Sequence, residues 1–367
     1  MQSLDRNGVL ASAVKKALHS PNRRLSFRYE LLDQNNQVIG DLKNILSCTV
    51  EQQALSTIKR TAKFSLVDNG EIDFLKNRIK PYVQLLVNGI WVEFPQGVFL
   101  LSSPTKKDIN NNVIRDIEAF DGLLILNQDK FQTRYTITQG TTYYSAIINI
   151  LASAGITRYN IELSNTVLPI GADFEAGKEK LVVINELLRQ INYTPLHVDE
   201  NGVYTSYPYR SPSIRAIDYT YQDDENSVTF PGVEEELDLF EVPNIWVVVC
   251  SNPEQVPMYS VYTNSNPLSL TSTVNQNRNI VDYREIQEVA DQQSLDAYTQ
   301  RIAFEASQIY GKVTFETAIM PMHGYADVLE VDYSPLGIKD KYAETSWSFP
   351  LKAGGRMKHE VRRVVSI

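Results

Sequence analysis

Period-two alternation fills the first third of this chain and limits the folds open to it. Leu25, Phe27, Tyr29 and Leu31 stand apolar between polar neighbours, and Asp33-Gln34-Asn35-Asn36 then turns the chain toward Val38 and Ile39, the pattern of a β-hairpin. Further strand-like runs follow at Ile45–Ala54, Ala62–Val67, Tyr82–Val87, Ile90–Phe94, Val98–Leu101 and Val113–Phe120. Asn88-Gly89 between two of them is a strong tight-turn signal. Six or more antiparallel strands within about 100 residues predict a closed or nearly closed barrel, because closure removes bare strand edges. Residues 25–125 therefore read as one barrel domain.

Ahead of it, Leu4, Val9, Leu10, Val14 and Leu18 recur at near-helical spacing until Pro21, which predicts a short amphipathic helix within an N-terminal segment 1–24. That helix either covers the barrel or packs on another subunit, with self-packing favoured. After Gly140 the period turns helical: Ile147, Ile148, Leu151 and Ala154 share a face that Gly155 ends, and a second helix is expected from Lys178 to Asn192. Leu196–Val198 and Val203–Tyr207 flank Asp199-Glu200-Asn201-Gly202 as a hairpin, so 126–210 reads as a small α+β domain. Strand signals return at Ala216–Tyr221 and Ser227–Phe230, and the continuous apolar run Ile245–Cys250 reads as a fully buried strand. Ser251 to Asn279 has little periodicity and reads as a long surface loop. Gln292–Tyr310 is the longest helix signal, with Asp291 as cap, Gly311 as stop and Leu295, Tyr298, Ile302 and Ile309 as apolar face. Lys312–Ile319, Val328–Tyr333, Ser346–Leu351 and Met357–Ile367 supply four more strands. A second barrel is thus expected from 211–240 plus 312–367, interrupted by an inserted domain at 241–311. The fold class is α+β, mainly β.

A chain of 367 residues is too long for one ordinary core, and its 43% hydrophobic and 22% charged residues are those of a globular protein. No apolar run approaches the roughly 20 residues that cross a bilayer, and the N-terminus has no secretory pattern, so folding in a cytoplasm is expected. Cys48 and Cys250 form no disulfide framework and read as small buried hydrophobes. Charge is uneven. Residues 1–28 carry +5 and 351–367 carry +4, so the intervening 322 residues hold −18 of a total of −9. An acidic body with basic ends argues against wrapping nucleic acid by phosphate neutralisation. Both runs read as solvated surface, or as contacts between basic ends and acidic neighbours.

Chemistry is sparse. His19, His197, His323 and His359 fall in different expected elements, and no HExxH, CxxC, GxSxG, phosphate-binding loop or dinucleotide fingerprint is present. His323, in Met320-Pro321-Met322-His323-Gly324 near Asp327, reads as a turn histidine with local hydrogen bonds. Glu234-Glu235-Glu236 is a conceivable cation cluster, but Leu237, Leu239 and Phe240 beside it read as interface or core. No catalytic, cofactor or metal residue is assigned, and no cofactor is expected. The tyrosines (Tyr143, Tyr144, Tyr204, Tyr207, Tyr209, Tyr219, Tyr221) suit protein contact, glycan contact or ordinary cross-strand pairing.

The order of elements and several strings together resemble the phage tail-hub family, on its non-contractile branch. The strings are Phe94-Pro95-Gln96-Gly97-Val98-Phe99, Ala119-Phe120-Asp121-Gly122-Leu123, Pro243-Asn244-Ile245-Trp246-Val247-Val248-Val249, Lys341-Tyr342-Ala343-Glu344-Thr345-Ser346-Trp347 and Gly354-Gly355-Arg356-Met357-Lys358-His359. The resemblance implies a homotrimeric, non-enzymatic hub with two tail-tube-like antiparallel β-barrels per copy, so that three copies match a hexameric tail. It implies a place at the tail tip of a virion, between the distal tail protein ring, the C-terminus of the tape-measure protein and tail fibre or receptor-binding proteins. Phage DNA would pass only in transit, through a lumen for which an acidic wall is a natural expectation. Many relatives on this branch continue into fibre, adhesin or wall-hydrolase domains, whereas this sequence stops at Ile367. Two readings stand beside the hub: a tail-tip enzyme degrading cell wall or polysaccharide, and a monomeric glycan-binding adhesin.

Overall fold

The computed structural model describes residues 1–237, 242–251, 256–308, 311–365 and 367. Among them, fourteen strands join into one sheet that runs through both expected barrels. Its path starts at Val38–Asp41 and passes through Leu25–Leu32, Arg78–Val87, Phe99–Ile109, Asn112–Phe120, Arg60–Val67 and Ile45–Gln53. It then crosses into Ile338–Pro350, Arg356–Arg363, Gly311–Ala318 and Glu234–Leu237. Ile90–Pro95 branches from Arg78–Val87, and Val328–Tyr333 branches from Ile338–Pro350. Tyr219–Gln222 adds to Val328–Tyr333 in parallel, a departure from a purely antiparallel sheet. The path stays open, and its end strands Val38–Asp41 and Glu234–Leu237 are exposed along their whole length.

The crossing point joins the halves. Ser346–Pro350 pairs antiparallel with Thr49–Gln53, and the ladder is extended by Ala54 N–H donating to Thr345 O and Leu351 N–H to Cys48 O. One continuous core lies beneath both halves, with Leu66, Ile79, Phe94, Phe99, Val313, Tyr342, Trp347 and Val361 all nearly inaccessible. Asn88 and Gly89 both take positive φ, as the two-residue hairpin turn requires. Cys48 and Cys250 are both buried and free.

The N-terminal helix is shorter than its pattern. It spans Ala11–Leu18, because Asn7 and Gly8 take positive φ and Asp5 Oδ1 accepts the N–H of Ala11, ending the helical path backward. Val14 and Leu18 are fully buried in the large core, so the helix packs on its own chain.

A second core belongs to 123–206. Its main helices, Tyr143–Ser153 and Lys180–Gln190, match the periodic pattern, and Thr142 caps the first by accepting from Ser145 N–H. The helix Leu123–Gln128 was not expected. Its six residues are too few for a periodicity to register.

A third core lies in 242–308. Ile245–Cys250 is the central strand of a three-stranded sheet, flanked by Met258–Thr263 and by Val281–Ile286 in parallel. The helix Gln292–Ser307, capped by Asp291 accepting from Ser294 N–H, covers one face. Ile309 and Tyr310, at the expected end of this helix, lie outside the described residues, as do Leu239 and Phe240. Two expectations need correction here. The stretch read as a long loop contains the strand Met258–Thr263 and the short helix Thr273–Gln276, which its Asn- and Ser-rich composition obscured. The strand read as fully buried alternates, with Trp246, Val248 and Cys250 buried and Ile245, Val247 and Val249 only half-buried. Tyr259, Val261, Val281 and Tyr283 continue that outer face, each more than half exposed. Ser227–Phe230 likewise contributes only an isolated bridge, Thr229 to Thr317, and Glu234–Leu237 takes the edge position instead.

One-sided burial in this sheet makes a direct prediction. Val248→Ala is expected to cost about 2 kcal/mol in urea unfolding, and Val261→Ser less than about 0.5 kcal/mol. Equal losses would mean that both faces are packed within one chain.

Candidate functional site

The residues that join the two halves of the large core to the 123–206 unit sit around the turn from Ile319 to Asp327. Two buried amides hold Pro321: Gln2 Nε2 donates to Pro95 O and Pro321 O, and Gln96 Nε2 donates to Phe94 O and Pro321 O. Trp347 Nε1–H donates to Gly324 O, Arg215 donates to Ala326 O, and Tyr325 stacks on His197 at 4.0 Å. Asp327 accepts from the Met1 amino group at 2.6 Å and from Gly324 N–H at 2.7 Å. Ala326 takes φ +51, so this backbone is held in a left-handed conformation by its surroundings. The turn therefore ties together the first residues, both halves of the ladder and the 123–206 unit.

Beside it lies a buried guanidinium. Arg60 Nε donates to Gln52 Oε1 at 2.7 Å, and the guanidinium carbon lies 5.4 Å over the ring of Trp347. Asp121 accepts Arg60 N–H at 2.8 Å and Leu123 N–H at 2.8 Å, starting the short helix, while Asp121 N–H donates to Arg60 O. Burial pushes the Asp121 carboxyl up to about 6, against the pull of these amides and of Arg60 and Lys59. Burial also pulls the Lys59 ammonium down to about 8, with Asp121 opposing. Two glycines make the approach possible. At Gly97, with φ +127, a Cβ would lie 2.8 Å from Phe99 Cζ and 2.9 Å from Arg60 Cδ. At Gly122 it would lie 2.4 Å from the Tyr204 hydroxyl, which donates to Gly122 O.

His323 does not act locally. Its ring nitrogens meet Tyr221 OH at 2.6 Å and Glu344 Oε2 at 2.6 Å, both distant in sequence, while Asp327 is 3.9 Å away. His359 reaches the other oxygen of Glu344 at 2.7 Å. Sequence reasoning placed His323 in a turn and His359 in a strand, and they meet because the turn docks on Trp347, which lies opposite His359 in the ladder. His19 bonds Tyr219 OH and Asn226 O, and His197 is buried with its value lowered to about 4 by desolvation. Glu234, Glu235 and Glu236 stand on the exposed end strand, with Glu236 paired to Lys312 at 3.1 Å.

Four of the five strings that suggested a family converge here. Gln96 and Gly97, Asp121 and Gly122, Glu344 and Trp347, and His359 all contribute to this junction. The fifth lies apart in the 242–308 unit, where Asn244, fully buried, donates to Arg278 O and accepts from Ile280 N–H. The arrangement is one of mutual support between buried polar groups.

No family model and no curated protein sequence matches the chain. Solved structures do match. A tail protein from Neisseria meningitidis MC58 superposes with a TM-score of 0.65 at 10% identity, covering 92% of this chain and 97% of that one. The 43 kDa tail protein of prophage MuSo2 from Shewanella oneidensis gives 0.63 at 11% identity, covering 92% and 98%. The E. coli c3393 protein, described as a type VI secretion component structurally similar to T4 tail proteins gp27 and gp5, gives 0.50 at 11% identity, over 92% and 77%. The chain thus has the fold of phage tail and baseplate-hub-like proteins, which bears out the resemblance at the level of the fold.

The junction predicts a large local effect. Asp121→Ala leaves the buried backbone N–H groups of Arg60 and Leu123 without an acceptor and removes the nearby negative charge from the buried Arg60 guanidinium, and a loss of about 3–5 kcal/mol in urea unfolding is expected. Asp173→Ala, at an exposed pair with Arg134, is expected to leave the curve unchanged. Equal behaviour of the two variants would contradict this account of the junction.

Proposed function

We propose that the protein is a structural hub at the distal end of a phage tail, acting as a ring of three copies. The observation that carries this is the two-way coverage: nearly the whole chain is matched by solved tail proteins, and nearly the whole of each of those by this chain. In this reading each half of the ladder is one tube-like barrel, 25–125 in the first and 211–240 with 312–367 in the second. The units 126–210 and 241–311 stand off the barrels, and 1–24 is bound along them. Three copies then offer six barrels to a hexameric tail above and a three-fold tip below.

The ring meets the distal tail protein on one side and fibre or receptor-binding proteins on the other. It holds the tape-measure C-terminus until infection and passes DNA without retaining it. The acidic balance of the body suits that last task, since phosphate slides past like charge. Buried polar groups around 319–327 serve rigidity in this role, because they fix how two barrels of one copy sit together.

Light scattering on the full chain at micromolar concentration is expected to give three times 41.7 kDa, and purified protein incubated with host cell wall is expected to release no soluble fragments. A strictly monomeric mass or released wall fragments would defeat the hub reading.

A further inference from the structure

Glu344 is sealed between two imidazoles: Oε1 lies 2.7 Å from His359 Nδ1 and Oε2 lies 2.6 Å from His323 Nδ1, with all three side chains 1% exposed or less. Groups face this cluster from every packed element. Tyr221 meets His323 Nε2 from the strand Tyr219–Gln222, and Thr317 meets His359 Nε2 at 2.9 Å from Gly311–Ala318. Phe315 stacks on His359 at 4.6 Å. Asp327, bound to the Met1 amino group, lies at 3.9 Å from His323, and Asp218 and Arg215 act from farther out.

Thr317 Oγ1 lies 2.8 Å from Ala318 O and 2.9 Å from His359 Nε2. With its single hydroxyl proton on Ala318 O, its oxygen accepts from His359, and Nε2 of that ring carries the hydrogen. A neutral His359 then has a bare lone pair on Nδ1, aimed at a carboxylate oxygen 2.7 Å away, a contact that repels unless a proton lies within it. On the far side the accounts close, because Tyr221 O–H donates to His323 Nε2 and His323 Nδ1–H donates to Glu344 Oε2.

We propose that the folded protein retains one proton between His359 Nδ1 and Glu344 Oε1, and that this proton latches the turn 319–327 to the strands Ile338–Pro350 and Arg356–Arg363. Its release leaves an uncompensated buried negative charge and two opposed lone pairs, so the latch weakens as pH rises. Donors 2.6 and 2.7 Å apart also lie closer than the roughly 3.3 Å edge of a tetrahedral site with zinc bonds near 2.0–2.1 Å, which favours a proton over a metal ion.

The electrostatics agree in direction. Burial raises the Glu344 carboxyl to about 7, with His359 opposing, while burial lowers His323 to about 4 and His359 below its usual value. A carboxyl raised in the fold adds stability that is full below its unfolded value and lost as pH rises through about 7. The lowered imidazoles act at the other end, disfavouring the fold as pH falls below roughly 6.5.

Glu344→Gln tests this, because it keeps the shape and makes the protonated state permanent: its amide donates to His359 Nδ1 and its carbonyl accepts from His323 Nδ1–H. Thermal unfolding of the full chain at pH 6 is expected to give midpoints for the two proteins within about 2 °C, and by pH 9 the unsubstituted protein should lose at least about 3 °C more than the variant. Parallel pH profiles, or a variant equally weakened at pH 6 and pH 9, would overturn the latch. Should the variant not fold, the 15N shifts of the His359 ring in the unsubstituted protein decide the matter. Hydrogen on Nε2 from pH 6 to 9 is expected, with a change at Nδ1 centred near 7. A neutral ring with hydrogen on Nδ1 and none on Nε2 would refute it, as would one equivalent of zinc retained by the purified protein.

Discussion

The pairing of Ser346–Pro350 with Thr49–Gln53 is the contact on which the rest of the molecule depends. Residues almost three hundred positions apart become neighbours in one ladder, and the two halves share a core in place of a flexible joint. Once that ladder forms, Trp347 must lie over Arg60, His359 must face Glu344, and the turn after Gly311–Ala318 must fold back between the halves. Many polar groups buried there bond to one another, while Gln52 Nε2, Arg60 Nη1 and Gln96 Oε1 have no partner among the described residues, a cost of about 1–3 kcal/mol for each such atom.

This geometry suits a part whose work is mechanical. In the proposed role, a hub between two symmetries has to hold its halves at a fixed angle while its outer surfaces bind different neighbours. The open ends of the ladder, Val38–Asp41 and Glu234–Leu237, and the bare apolar face of the 242–308 sheet are where a single chain leaves strand edges and side chains uncovered. The buried junction lies away from them, among strands whose inward residues are close to fully inaccessible.

Much of this was legible in the sequence because it is local. Alternation and Asn88-Gly89 mark the first-half strands, and Asp291 marks a helix start through its own side chain. What was not legible depends on register. Nothing near His323 points to Tyr221 or Glu344, and nothing near Asp121 points to Arg60 as its partner. The strand Met258–Thr263 escaped notice because Asn- and Ser-rich neighbours masked its short alternation. Ile245–Cys250 misled for the opposite reason: six apolar residues imply two buried faces, and a single chain covers one. The N-terminal helix lost its first turn to Asn7 and Gly8, whose left-handed backbone no hydrophobic pattern reveals.

Cryo-electron microscopy of the purified full-length protein tests the central claim most directly. A three-fold ring in which the halves 25–125 and 211–240 with 312–367 alternate as six near-equivalent tubes around one channel is the predicted image. A particle whose two halves cannot be interchanged by a rotation of about sixty degrees about the ring axis would contradict it.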